Sequence, residues 1–162
     1  MVDNTQVIKQ FYAALNERKA QTMVSFYTPD ILFSDPIFTD LTSAEVSSMW
    51  RMLCARSLDL SVKVSDIRAD LRHGRAHWQA RYRFGPKMRL VVNEVDAEFE
   101  FRDGQIWRHR DRFDIGRWAG QALGFHVRLI APFYPEIFAK IRREARQGLD
   151  EFMLGKKSRA AG

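Results

Sequence analysis

Ile106-Trp107-Arg108-His109-Arg110-Asp111-Arg112-Phe113 alternates cations with aromatic and acid–base side chains over eight residues. Successive side chains of a strand point to opposite faces. One face therefore carries Arg108, Arg110 and Arg112, and the other carries Trp107, His109, Asp111 and Phe113. The preceding run, Val91 to Phe101, alternates in the same way, with Glu94, Asp96, Glu98 and Glu100 on one side and Val91, Asn93, Val95, Ala97, Phe99 and Phe101 on the other. An antiparallel hairpin turning at Asp103-Gly104-Gln105 pairs Glu100 with Arg108, Glu98 with Arg110 and Asp96 with Arg112. Three opposite-charge cross-strand pairs in one register fix that register. The inner face then sets Phe101 against Trp107, Phe99 against His109 and Ala97 against Asp111. A small residue opposite a carboxylate leaves room beside it, as in a pocket wall.

Upstream of the hairpin the period is helical. Val7, Ile8, Phe11, Tyr12 and Leu15 predict a helix over 4–17, and Met23 to Tyr27 a second one ending at Pro29-Asp30. Ile31 to Pro36 reads as a short strand. Thr42-Ser43-Ala44-Glu45 has the spacing of a capping box and opens a third helix to about Arg56. From Leu58 the period becomes two, with strands expected around 60–64 and 76–84 before the hairpin. An apolar segment from Trp118 to Ile130 and a last amphipathic helix, Ile137 to Phe152, follow. The order predicts an α+β fold: a cone-shaped, curved antiparallel sheet with three helices on its concave face and an added C-terminal helix. One domain is expected over 1–155, with its core at 5–118 and a helical extension at 119–155, followed by a disordered basic tail at 156–162.

Composition sets the class. The chain has 162 residues, 46% hydrophobic and 28% charged, as in an ordinary globular protein. No apolar run approaches the roughly 20 residues of a membrane span, and no leader pattern opens the chain, so a cytoplasmic location is expected. Cys54 is the sole cysteine, which excludes an internal disulfide. The net charge is +6, but Phe125 to Gly162 supplies four of those six with eight basic and four acidic residues. That distribution, with no zinc spacing, helix-turn-helix pattern or phosphate loop, argues against nucleic acid as a partner.

Phe26-Tyr27-Thr28-Pro29-Asp30 with Phe33-Ser34-Asp35-Pro36, and Gly104-Gln105-Ile106 through Asp111-Arg112-Phe113-Asp114, resemble the superfamily of nuclear transport factor 2, ketosteroid isomerase, limonene epoxide hydrolase and polyketide-cyclase-like proteins. The likeness covers roughly residues 5–118. It implies that Asp35 matches the isomerase's proton-moving base, while Phe11 and Ala97 occupy the positions of its oxyanion donors. It further implies that Asp111 matches an acid–base aspartate of the epoxide hydrolase and Arg81 its arginine, with Arg83 where a second aspartate stands. Phe33 and Asp35 replace the tyrosine and asparagine that hold the water. Trp118 to Gly124 with the last helix resembles an uncharacterised bacterial subgroup.

The candidate catalytic residues are Asp35, His109 and Asp111. A carboxylate on an apolar face costs several kcal/mol unless it meets a donor or gives up its charge, behaviour that acid–base chemistry uses. His109 lies two residues from Asp111 on the same face, about 7 Å apart at their bases, so a water or substrate could bridge them. Tyr12, Phe33, Trp50, Trp78, Asn93, Phe99 and Trp107 are the expected cavity lining. By polarity alone Arg81 points outward, against the resemblance. No cofactor and no metal are expected, since His109 and Asp111 lack a third ligand. The expected function is cofactor-free acid–base chemistry (isomerase, cyclase, dehydratase or hydrolase) on a small apolar molecule bearing oxygen, in a homodimer. The alternatives are a ligand-binding or protein-interaction module on the same fold.

Overall fold

The computed structural model describes the backbone of residues 3–160 and side chains as far as residue 155. Three helices come first: α1 (Asn4–Asn16), α2 (Ala20–Ser25) and, after strands β1 (Tyr27–Ser34) and β2 (Leu41–Thr42), α3 (Ser43–Arg56). Asp3 caps α1 by accepting from the Thr5 amide, and the Thr42–Glu45 capping box opens α3 as its spacing required. Helix α2 ends earlier than Pro29, because Tyr27 to Asp30 are already strand. Strands β3 (Ser61–Ala69), β4 (His73–Phe84), β5 (Arg89–Arg102) and β6 (Gln105–Arg112) complete the sheet. The C-terminal extension folds as α4 (Ile115–Leu123), α5 (Phe125–Ile130), a 3₁₀ turn at Ala131–Phe133, and α6 (Glu136–Ala160). Helix α6 runs past Gly155, where the sequence placed the start of a tail, and residues 161–162 lie outside the described residues.

The architecture is α+β, with a six-stranded curved sheet in the order β2-β1-β6-β5-β4-β3. It is not wholly antiparallel: β1 lies parallel to β6, placing Phe33 beside His109 and Ser34 beside Arg110. A parallel neighbour needs a long crossover, and here that crossover is the rest of the sheet. The hairpin has the register that charge predicts, with Asp96 opposite Arg112, Glu98 opposite Arg110 and Glu100 opposite Arg108. Its loop is the two residues Asp103 and Gly104, both with positive φ (50° and 79°), the conformation that a tight Asp-Gly hairpin turn demands.

Two details of the hairpin depart from expectation. A bulge between Glu100 and Phe101 sets Phe101 against Ile106, not Trp107. Trp107 is turned out and sandwiched by cations, with the Arg108 and Arg102 guanidiniums 4.7 and 5.1 Å from its ring. Trp107 is thus no part of the cavity lining. Asp96 also fails to bond Arg112, which reaches diagonally to Glu98 (3.1 Å) beside Arg110 (3.7 Å). Asp96 is taken instead by His77 of β4, whose two ring nitrogens meet Asp96 (2.9 Å) and Glu94 (2.8 Å).

The main core lies between sheet and helices, where Ile8, Phe11, Tyr12, Phe33, Met49, Trp50 and Phe99 are fully enclosed. A second cluster, built on Val91, Trp118, Ala119, Ala122 and Ile141, covers the wide end of the sheet. Strand β6 stops opposite Asp96, leaving the remainder of β5 without that neighbour. Gln121 of α4 stands in for it, accepting from the Val92 amide (2.6 Å) and donating to the Val92 carbonyl (3.2 Å). Asp114 caps α4, and Trp118 donates its indole N–H to the Tyr82 hydroxyl (2.8 Å). Across α3, Arg146 of α6 pairs with Glu45 (2.6 Å) and Arg142 donates to the Pro36 carbonyl (2.9 Å).

Candidate functional site

Strand β6 delivers His109 and Asp111 to the interior, where they are 0% and 4% exposed. They do not wait for a bridging molecule, because His109 Nε2 lies 2.9 Å from Asp111 Oδ1. On its other side, His109 Nδ1 meets the Tyr27 hydroxyl at 2.8 Å, and that hydroxyl lies 3.0 Å from Trp50 Nε1. The indole N–H can only donate, which gives the chain one consistent direction. Trp50 donates to Tyr27, Tyr27 donates to His109 Nδ1, and His109 Nε2–H donates to Asp111; the tautomer is assigned by this network. Aromatic rings clamp the imidazole, with Phe99 at 4.4 Å, Phe33 at 5.0 Å and Phe11 at 5.5 Å between centroids. Burial pushes the Tyr27 phenol well above its ordinary pKa, so it stays a proton-bearing donor.

Asp35 follows the end of β1. Its Oδ1 accepts from the Ile37 amide (2.7 Å) and the Phe38 amide (2.6 Å), holding the turn at Pro36. The carboxyl is half-buried. Burial raises its pKa to about 7, and the Asp111 charge adds to the rise, against the two amide hydrogen bonds that pull it down. A carboxyl poised there can both hold and release a proton near neutral pH. The Asp111 charge thus reaches Asp35, while Tyr82, whose phenol is also raised by burial, feels Asp35.

Tyr12, Phe33, Trp50, Trp78 and Phe99 share the interior with His109, as the alternation predicted. Asn93 occupies an inner-face position opposite Ala80 and is half-buried. Arg81 is exposed on the outer face, as polarity required. Among the described residues, Tyr12 Oη and Trp78 Nε1 are buried without a hydrogen-bond partner, on rings 5.3 Å apart. Burial first, and the Asp111 charge second, keep the Tyr12 phenol protonated. Sequence reading missed Tyr27, which periodicity assigns to α2. The signal was its place at the start of β1, but its partnership with His109 depends on the β1–β6 pairing.

Ile37, Tyr82 and Phe113 pack against both the main core and the cluster carried by α4 and α6, so the C-terminal extension is packed on this end of the sheet. Two surface grooves lie elsewhere. One of about 490 Å³ runs over Arg68, Asp70, His73, Arg75, Glu98 and Glu100, and one of about 250 Å³ lies between Ile37–Leu41 and Arg142, Arg143 and Arg146. Among the described residues, no cluster of three or more His, Cys, Asp or Glu could hold a metal ion, and no helix is long and apolar enough to cross a membrane.

Residues 8–109 match the model of the SnoaL-like domain. The chain belongs to the SnoaL-like family. No curated protein matches its sequence. Solved structures of the same fold include an LEH-like epoxide hydrolase of M. tuberculosis, with TM-score 0.61, 21% identity, and 82% of this chain covering 96% of that one. A second is SalBIII, an epoxide hydrolase/cyclase-like enzyme of pyran ring formation in the polyether salinomycin, with TM-score 0.62, 13% identity, and 69% covering 91%. A third, with a ketosteroid isomerase-like fold, comes from Catenulispora acidiphila and is in complex with trimethylamine (TM-score 0.65, 12% identity, 73% covering 92%). At these identities the likeness is one of fold. The names of these structures speak of an epoxide hydrolase, an epoxide hydrolase/cyclase-like enzyme and a ketosteroid isomerase-like fold, each said of that protein.

Proposed function

We propose that this protein is a cofactor-free acid–base enzyme acting on a small apolar molecule that carries an oxygen function. Asp35 is the base that takes and returns a proton. Asp111, held by His109, supplies the second carboxylate, and the Trp50–Tyr27–His109 chain fixes its orientation. The observations that carry this reading are two carboxyls facing inward, Asp35 with its pKa raised to about 7 chiefly by burial and Asp111 bonded to a buried imidazole. The two unpartnered donors, Tyr12 Oη and Trp78 Nε1, favour a ligand oxygen in the same interior. Structures of the same fold named for epoxide hydrolysis and pyran ring formation are in keeping with hydrolysis, isomerisation or cyclisation. A substrate reaches Asp111, 4% exposed, only when the side chains packed over it give way. We place the protein in the cytoplasm as a homodimer paired through the outer sheet face.

The test is turnover of a panel of apolar epoxides and β,γ-unsaturated ketones by wild type, Asp35→Asn and Asp111→Asn. Loss of at least about a hundredfold in kcat in both folded variants is expected for groups that move the proton. Undiminished turnover in both would sink the assignment. A second reading, a binding protein without chemistry, draws support from the full burial of His109. Native mass spectrometry showing a ligand retained by both variants, with no turnover by wild type, would establish that reading instead.

A further inference from the structure

Within twelve residues, from Leu123 to Tyr134, six large apolar side chains stand out in solvent: Leu123 (40% exposed), Phe125 (66%), Leu129 (58%), Ile130 (43%), Phe133 (80%) and Tyr134 (58%). No buried residue lies in α5 itself, so this helix is held to the fold at its ends, by Gly124, Val127 and Ala131, with its outer side bare. A domain of this size seldom leaves so dense an apolar stretch uncovered without a use for it.

Its surroundings carry an excess of positive charge. From Asp114 to Glu144 the chain has five cations, Arg117, Arg128, Lys140, Arg142 and Arg143, and three acids, Asp114, Glu136 and Glu144, a local charge of +2. Arg128 is on α5, with its stem laid over Gly120, and Arg89 of β5 reaches the backbone at Gly124. Among the described residues neither Arg89 nor Arg128 has a carboxylate partner. Aromatic and aliphatic side chains flanked by Arg89 and Arg128 match the chemistry of an anionic bilayer surface, where the rings sit among the headgroups and the cations among the phosphates.

We infer that the Leu123–Tyr134 segment is a membrane-docking surface, lying in the plane of an anionic bilayer with Phe125, Leu129 and Phe133 inserted. The inference rests on exposed residues of the C-terminal extension and involves none of Asp35, His109 and Asp111.

The test is co-sedimentation of the purified full chain with vesicles of phosphatidylcholine alone and of phosphatidylcholine with 30% phosphatidylserine. Wild type is expected to pellet with the anionic vesicles and to be released by 0.5 M salt. The triple variant Phe125→Ser, Leu129→Ser, Phe133→Ser, altered only at exposed positions, is expected to lose binding by at least about tenfold. Arg128→Gln should weaken it about fivefold. Wild type remaining in the supernatant overturns the proposal. So does undiminished binding by the triple variant, which would move the contact to Lys156, Lys157 and Arg159 of the tail. So too does a wild-type dimer in sedimentation velocity that the triple variant turns into a monomer, which would assign the patch to a second copy.

Discussion

Replacing Asp35 by asparagine keeps the carbonyl oxygen that accepts from the Ile37 and Phe38 amides and removes a charge. The wild-type carboxyl moves from 3.8 to about 7 on folding. Folding therefore favours its protonated form. The stability this gives is whole below pH 3.8 and is lost as the pH rises through 7. A rise of that size amounts to about 4 kcal/mol over the whole window at 1.36 kcal/mol per unit, an upper bound for a half-buried group. Between pH 5 and pH 8.5 the share lost is about 2–3 kcal/mol. The asparagine variant has no such dependence. Urea unfolding of both proteins at pH 5, 6, 7 and 8.5 isolates the effect, because every other titrating group is common to the two. The variant should gain on wild type with rising pH and be more stable by about 1–3 kcal/mol at pH 8.5. Asp35→Ala, which also strips the acceptor, should give back about 1–2 kcal/mol of that gain at every pH. Parallel stability profiles for wild type and Asp35→Asn would refute the argument that this carboxyl is held out of water beside Asp111.

Tyr27→Phe would leave the Trp50 N–H and His109 Nδ1 facing each other's absence in the core. Two buried groups losing their partner should cost about 2–4 kcal/mol in chemical denaturation, and a loss below about 0.5 kcal/mol would mean the chain of bonds is not formed. Gly74→Ala would drive a methyl to 2.8 Å from Phe101 and 2.9 Å from Ile8, so a drop of about 1–3 kcal/mol in unfolding free energy is expected. His77 is raised by its hydrogen bonds to Asp96 and Glu94. Its stabilisation is complete below its unfolded pKa of 6.5 and fades as pH climbs through the raised folded value. His77→Gln should flatten the fall of Tm in that window, and an unchanged slope would count against the outer-face pair.

Helix α3, the hairpin register and the inward pairing of Phe99 with His109 and Ala97 with Asp111 were legible in the sequence. Each follows from short-range rules: a cap box four residues long, a period of two, and opposite charges facing across one turn. The period of two also put His109, Asp111 and Phe99 on the buried face, while Asp35 was singled out by the family resemblance. Short-range rules failed where a side chain's neighbour is remote in the chain or where the ladder breaks step. The bulge that turned Trp107 outward adds one residue to one strand and leaves no mark in the alternation before it. The parallel β1–β6 contact joins residues about 80 apart and alone brings Tyr27 to His109.

Local chemistry along the chain therefore determined which residues are buried and which strands are neighbours within the hairpin, because burial and charge pairing act on side chains a fixed few positions apart. Tertiary structure alone decided that His109 is bonded on both sides rather than open to solvent. It alone decided that α4 and α6 pack on the sheet beside Ile37 and Phe113, and that burial, with a smaller push from the Asp111 charge, raises the pKa of Asp35. Desolvation and through-space fields depend on everything packed around a group, and those neighbours are assembled from separate segments of the chain.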